Sequence, residues 1–330
     1  MQVRVALGAL LCALLTACGS APKKEVESPP PVAVEQPAPP PTAPSPPPPP
    51  PIVVPPPKIA LVLGGGAAKG FAHIGVIKAL EAQGIAPSMV VGTSAGSVVA
   101  VLWAAGNDGI ALQRIAMDIK ESSFSDWSLP NRGILKGESL RDFVNQKVDR
   151  RPLDKLPRPV AVVATDLRSG ELVAFQRGDA GMAVQASSSV PGVFQPVAIN
   201  GREYVDGGLV SPVPVNVARR MRADLVVAVD ISARPALKVV KDTIDVLMQT
   251  FTIMGSAIAA HELEQADVVV RPDISKLNST DFKHRHLAIL EGESAGREAL
   301  PGLKRKIEQW EARYREAARA AANPALQPER

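Results

Sequence analysis

Cysteine is nearly absent from this 330-residue chain: there are two, Cys12 and Cys18, both near the start. The rest of the sequence therefore has no disulfide framework, no thiolate metal site and no cysteine nucleophile. Histidine is scarce as well, with only His73, His261, His284 and His286. His261 opens "HELEQ" with no second histidine four residues on, which excludes a zinc H-E-x-x-H site. No residue cluster in the sequence asks for a metal or a cofactor. Aromatic residues make up 4% and the formal net charge is +4. With no basic run interleaved with aromatics, nothing argues for a nucleic-acid partner. No stretch after the N-terminal segment reaches eighteen uninterrupted apolar residues, so no internal transmembrane helix is expected.

The N-terminus is richer in signal. "MQVRVALGALLCALLTACGS" carries an early cation at Arg4, an apolar run from Val5 to Leu15, and small residues up to Cys18. This predicts an export signal over residues 1–17. Leu15-Thr16-Ala17-Cys18 also resembles the bacterial lipoprotein box, which implies lipidation of Cys18 and a stable membrane anchor. The competing reading is an ordinary signal peptide with Cys18 incidental. Gly19 stands where an aspartate is associated with inner-membrane retention in enteric bacteria, so the expected location is the bacterial cell envelope, on the outer membrane facing the periplasm. Residues 18–57 read as the lipidated cysteine and a disordered linker, because Ala21 to Pro57 holds 18 of the 32 prolines. Such a segment buries no core and favours polyproline II at about 3.1 Å per residue, a reach on the order of 100 Å. A proline-rich ligand for a partner domain is the alternative to a spacer. Residues 323–330 read as a disordered tail, and the oligomeric state is not legible.

Residues 58–322 form one domain's worth of sequence. Short β-rich runs alternate with helical segments: Lys58–Leu63 then Phe71–Gln83, Met89–Val91 then Ser94–Ala105. Val160–Thr165, Glu171–Phe175, helical Val213–Arg222, Leu225–Val229 and Asp267–Val270 follow. This predicts an α/β domain with a mainly parallel central sheet. The charged C-terminal region is expected to break at Pro301-Gly302 and to resume as a helix from Leu303 to about Ala321. That last helix is amphipathic, with Lys304, Arg305 and Lys306 clustered and Trp310 and Tyr314 one turn apart; docking on the domain and contact with a membrane surface are both open to it.

Two glycine-rich blocks could carry chemistry. In "LVLGGGAAKGFAHIGVIKAL" a strand runs through Gly64-Gly65-Gly66 into a helix, an arrangement that aims backbone amides at negative charge. It is not a P-loop, because Lys69 precedes Gly70, and not a dinucleotide fingerprint, because Lys69 occupies the last glycine position. An anion hole for an acyl-transfer intermediate remains. The second block, Gly92-Thr93-Ser94-Ala95-Gly96, follows a strand-like run and precedes a helix, the context a nucleophile elbow demands. The alternative is a helix N-cap serine. A nucleophilic serine needs a base, and two sources are open. His261, His284 and His286 lie downstream, His284 and His286 in a segment able to loop back. Asp206, in "REYVDGGLVSPVPV", ends a strand before Gly207-Gly208; Asp-Gly is also a hairpin signal, yet a desolvated carboxylate gains basicity. Asp166 reads as a turn former after a strand, His73 as a core histidine, and Pro191 as a loop-shaping residue.

Taken together in this order, "GGGAAKG", "GTSAG" and "DGG", with "AHIGVIKALE" and "ASSSVPGVFQPV", resemble the bacterial patatin-like phospholipases from about Lys58 to Asp230. The resemblance implies a three-layer α/β/α fold and cleavage of lipid acyl esters by a Ser-Asp dyad without a catalytic histidine. It assigns Ser94 as nucleophile, Asp206 as base and the amides of Gly65 and Gly66 as the oxyanion hole, with Gly64, Lys69, Gly70, Gly92, Gly96, Gly207 and Gly208 in supporting motif positions. The implied partners are a lipid ester substrate and, through Cys18, a membrane. One departure stands out: Ala67 occupies a position that is commonly glycine in the family loop, and would be strained if that position requires positive φ. The rival expectations are a His-dependent serine esterase and a non-catalytic envelope lipoprotein that binds lipid or a partner.

Overall fold

The computed structural model describes residues 52–119, 136–232, 242–275, 277 and 282–322. The expected export signal, Cys18, nearly all of the proline-rich segment and the C-terminal tail lie outside the described residues.

Five parallel strands form the sheet centre: β1 (Ile59–Leu63), β2 (Met89–Thr93), β3 (Val160–Asp166), β7 (Leu225–Val229) and β8 (Val268–Val270). Three more, β4 (Leu172–Phe175), β5 (Val197–Ile199) and β6 (Arg202–Asp206), join antiparallel. The order is β5-β6-β3-β2-β1-β7-β8, with β4 also on β3. The central strands are nearly continuous apolar runs because both their faces are covered. Ile59, Leu61 and Leu63 point into one core layer, while Ala60 and Val62 point into the other.

The first layer is covered by α1 (Phe71–Glu81), α2 (Ala95–Ala104), α3 (Gly109–Asp118), α4 (Glu138–Lys147), α5 (Ala180–Ser187) and α8 (Arg285–Ala322). The second is covered by α6 (Val215–Arg220) and α7 (Thr243–Leu263). The result is the mainly parallel sheet that the strand and helix alternation predicts, in the three-layer α/β/α architecture that the resemblance implies.

Partner exchange along β3 positions the site. Val160–Val163 equivalents pair with β2, whereas Ala164–Asp166 pair with β6, and β4 spans Val162 to Thr165. A strand has two edges, so β4 must occupy one alone and β6 must take over the edge that β2 leaves. Thr93 pairs with Val163 and Asp206 with Ala164, which brings the C-terminal ends of β2 and β6 together.

The C-terminal region differs from expectation. α8 runs unbroken through Pro301. Proline costs a helix interior about 3 kcal/mol, but Leu300 and Leu303, on either side of it, are both buried. Each buried leucine contributes roughly 1.5–3 kcal/mol, enough to offset the loss. Further back, α8 approaches α1 so closely that a Cβ on Gly75 would sit 1.9 Å from the Ile289 carbonyl. Trp310 and Tyr314 stack with ring centroids 5.3 Å apart, and Ile307 and Trp310 pack against the core.

Candidate active site at the sheet's carboxyl edge

Ser94 links β2 to α2 with φ 52° and ψ −124°, a geometry that costs an L-residue about 1–3 kcal/mol. The sharp reversal explains the flanking glycines. A Cβ on Gly92 would lie 2.5 Å from the Gly96 carbonyl, and one on Gly96 would lie 2.1 Å from the Leu63 carbonyl. The Ser94 hydroxyl makes no helix-capping bond, so the N-cap reading does not account for it. Its backbone is held on both sides: the Ser94 N–H donates to Ser187 Oγ at 2.8 Å, and Ser97 Oγ donates to the Ser94 carbonyl at 2.6 Å.

Asp206 faces this serine. It is 1% exposed, and burial pushes its carboxyl up to about 6, against the opposing influence of the Ser94 hydroxyl and the Gly208 amide. Oδ1 accepts the Gly208 N–H at 2.7 Å, while Oδ2 has no partner of full hydrogen-bond geometry among the described residues. The Ser94 hydroxyl is thus close enough to influence the carboxyl without a hydrogen bond of full geometry. The Asp-Gly sequence makes no hairpin here; β6 ends in a 3-10 turn over Gly207–Leu209. A side chain at Gly207 would meet the Val163 carbonyl at 2.2 Å, which is why the turn can sit so tightly on β3.

The glycine loop after β1 lies against the same serine: a Cβ on Gly65 would approach Ser94 Cβ to 3.3 Å, and one on Gly70 would meet Ala95 Cβ at 2.8 Å. The expected pair of oxyanion donors needs a correction. The Gly65 N–H is committed to the Pro212 carbonyl at 3.0 Å, as the Gly64 N–H is to Val229 at 3.1 Å. The amides of Gly66 and Ala67 begin the 3-10 turn Ala67–Gly70 and have no carbonyl partner among the described residues. Ala67 has φ 51°, so the departure from glycine does fall on a left-handed position. Lys69, half-buried in this turn, has its pKa lowered by desolvation.

None of the four histidines hydrogen-bonds Ser94 among the described residues. His261 is 77% exposed beside Glu264, and His284 and His286 are exposed near the start of α8. His73 is fully buried, and its Nε2 bonds the Gly64 carbonyl at 2.8 Å. A carbonyl only accepts, so Nε2 carries the proton. Burial takes His73 down to about 4, leaving it neutral, a fixed donor that pins the glycine loop. Asp166 closes the β3 turn, accepting the Arg168 and Ser169 amides at 3.0 and 2.9 Å and facing Arg202 Nε at 2.7 Å. The Ser169 amide is the main influence holding its pKa down. Pro191 falls in the turn after α5.

The serine block of "ASSSVPGVF" does more than the sequence suggests. Ser187 Oγ accepts the Ser94 N–H while donating to the Val163 carbonyl at 2.6 Å, and the Ser189 carbonyl accepts the Asp206 N–H at 2.9 Å. One end of the block thus braces Ser94 and the other braces Asp206. Among the described residues, no group of three or more His, Cys, Asp or Glu side chains could hold a metal ion.

Known proteins share this arrangement of sequence and fold. The family model described as patatin-like phospholipase matches residues 61–219. An NTE family protein of Mycobacterium tuberculosis is 38% identical over 181 residues, 53% of this chain and 49% of its own length. The patatin-like phospholipase domain-containing protein 6 of Mus musculus is 29% identical over 66% of this chain and 16% of its own. The chain thus spans about half the length of the mycobacterial relative and far less of the mouse one. Among solved structures, VipD from Legionella pneumophila superimposes with a TM-score of 0.51 at 16% identity, covering 75% of this chain and 67% of that one, a likeness of fold. Residues 61–219 of the chain thus carry a patatin-like phospholipase domain.

Proposed function

We propose that the chain hydrolyses carboxylic esters of lipids, with Ser94 as nucleophile and Asp206 as its base. The observation that carries this reading is a buried carboxylate of raised pKa set against a strained serine hydroxyl that serves no structural bond. Ser94 Oγ attacks the ester carbonyl carbon as its proton passes to Asp206. The Gly66 and Ala67 amides receive the negative charge that develops on the carbonyl oxygen, and the positive end of α2 adds to them. Asp206 returns the proton to the departing alcohol, leaving the acyl group on Ser94. Water then attacks the acyl-enzyme, Asp206 takes its proton, and the fatty acid leaves as Ser94 recovers its own.

A lipid substrate is supported by α7. From Val246 to Ala260 this helix carries no charged residue, and Val246, Leu247, Ile253 and Met254 are exposed. The same helix leans on the site: a Cβ on Gly208 would lie 3.2 Å from Phe251, and one on Gly192 would lie 2.7 Å from Leu247. An apolar approach therefore borders the dyad. The envelope location and lipid anchor rest on residues 1–19 alone, and loss of radiolabelled palmitate incorporation in Cys18→Ser tests the anchor.

For the reaction, a fluorophosphonate probe should label the protein and fail on Ser94→Ala. Turnover on a panel of phospholipids, lysophospholipids and simple esters should fall about 10²–10⁴-fold in Asp206→Asn. Joint replacement of His261, His284 and His286 by alanine should leave it intact. The reverse pattern would overturn the dyad in favour of an imidazole base.

A further inference from the structure

Glu262, near the C-terminal end of α7, is 5% exposed, and the reaction proposed above gives it no part. Its carboxylate is nonetheless fully engaged. Oε1 accepts the Ser211 hydroxyl, and Oε2 accepts the Val213 N–H at 2.9 Å. Those two residues flank Pro212, whose carbonyl takes the Gly65 N–H at 3.0 Å. The Ser211 carbonyl takes the Thr93 hydroxyl at 2.8 Å, and the Ser211 N–H donates back to the Gly207 carbonyl at 2.9 Å. One three-residue segment therefore touches the glycine loop, the residue before Ser94 and the residue after Asp206.

We propose that Glu262 is a positioning residue for this site: by clamping Ser211–Val213 it sets the spacing between the glycine-loop amides, the Ser94 hydroxyl and the Asp206 carboxylate. The proposal rests on the ester-hydrolase reading. A purely space-filling role would be better served by an apolar side chain, which avoids the cost of burying a carboxyl. Burial pushes Glu262 up to about 7, against the Ser211 hydroxyl, the Val213 amide and neighbouring His261. The clamp holds in either protonation state. The Ser211 hydroxyl can donate to a carboxylate or accept from a carboxylic acid, while the second oxygen keeps the Val213 N–H. Glutamine can copy the protonated pattern, with Nε2 donating to Ser211 Oγ and Oε1 accepting from Val213. Alanine can make neither bond.

The test compares the full chain with Glu262→Ala, Glu262→Gln and Ser211→Ala. The readouts are kcat and KM on a soluble p-nitrophenyl ester, melting temperature, and hydrogen exchange of peptides covering residues 64–70 and 93–97. Glu262→Ala should lower kcat about 10–100-fold with KM changed less than about threefold, as expected for misplaced catalytic groups. Exchange should accelerate in the peptide that holds the Gly65 amide. Glu262→Gln should restore both, and Ser211→Ala should fall between. The proposal is overturned if Glu262→Ala leaves exchange at residues 64–70 unchanged, or if glutamine fails to rescue a folded protein. Should Glu262→Ala not fold, the remaining pair decides: near-normal Glu262→Gln with a kcat loss in Ser211→Ala supports the clamp, and wild-type kcat and exchange in both refute it. If the wild-type chain hydrolyses no ester, the ester-hydrolase reading fails, while the exchange comparison still decides whether Glu262 orders the glycine loop.

Discussion

Ala67 and Ser94 both sit at positive φ, yet the two positions differ in what they return. The strain at Ser94 lifts a hydroxyl out of the helix-capping role and towards Asp206. Ala67 gains nothing comparable, because its methyl group is exposed and the proposed mechanism uses only its amide. A left-handed conformation costs an L-residue roughly 1–2 kcal/mol, and glycine removes that cost while adding back part of it as chain entropy. Ala67→Gly is therefore expected to stabilise the domain by about 1 kcal/mol, a melting-temperature rise of a few degrees by calorimetry. The kcat on a soluble ester should be maintained, since the amide is kept. A fall in melting temperature would mean that the turn relies on the methyl group.

Among the elements, β1 with its glycine loop and β2 with its elbow were legible because each is contiguous: strand, glycines and helix follow within some fifteen residues. Asp206 was legible as a candidate because a strand visibly ends there. What lay beyond reach was every contact between distant segments. Gly65 reads as a free donor until Pro212 is seen to take its amide. Ser187 reads as one serine of three, and Glu262 as part of a failed zinc motif, because their partners Ser94, Ser211 and Val213 are far away in sequence. Pro301 reads as a helix stop because local propensity cannot weigh the packing of Leu300 and Leu303. The apolar half of α7 belongs to the same class, since its meaning depends on Gly192 and Gly208 lying beneath it. If α7 meets lipid, replacing Val246 and Met254 with serine removes two side chains worth roughly 1.5–3 kcal/mol each when buried. The ratio of hydrolysis on phospholipid vesicles to hydrolysis of a soluble ester should then fall at least about tenfold. An unchanged ratio would assign the exposed face another role.

For the molecule as a whole, the role proposed for Asp206 sets activity and stability against each other. Its carboxyl is raised from 3.8 to about 6 by burial, so the folded state binds a proton that the unfolded chain has already released between those values. Stability therefore falls as pH rises from about 4 to about 6, by a total on the order of 3 kcal/mol at 1.36 kcal/mol per pKa unit. In the proposed mechanism activity runs the other way, because only the ionised carboxylate can take the proton from Ser94. The kcat/KM profile should rise through an apparent pKa near 6 as the base ionises. Asp206→Asn removes both effects: it should lose the same roughly 10²–10⁴-fold of activity, be more stable than wild type at pH 8 by an amount on the order of 3 kcal/mol, and be no more stable at pH 3.5, where the wild-type acid is already neutral. Denaturant titrations of the two proteins at both pH values measure this. A variant that is no more stable at pH 8 would mean that the Asp206 carboxylate is solvated or paired in the folded protein, and that its basicity has another source.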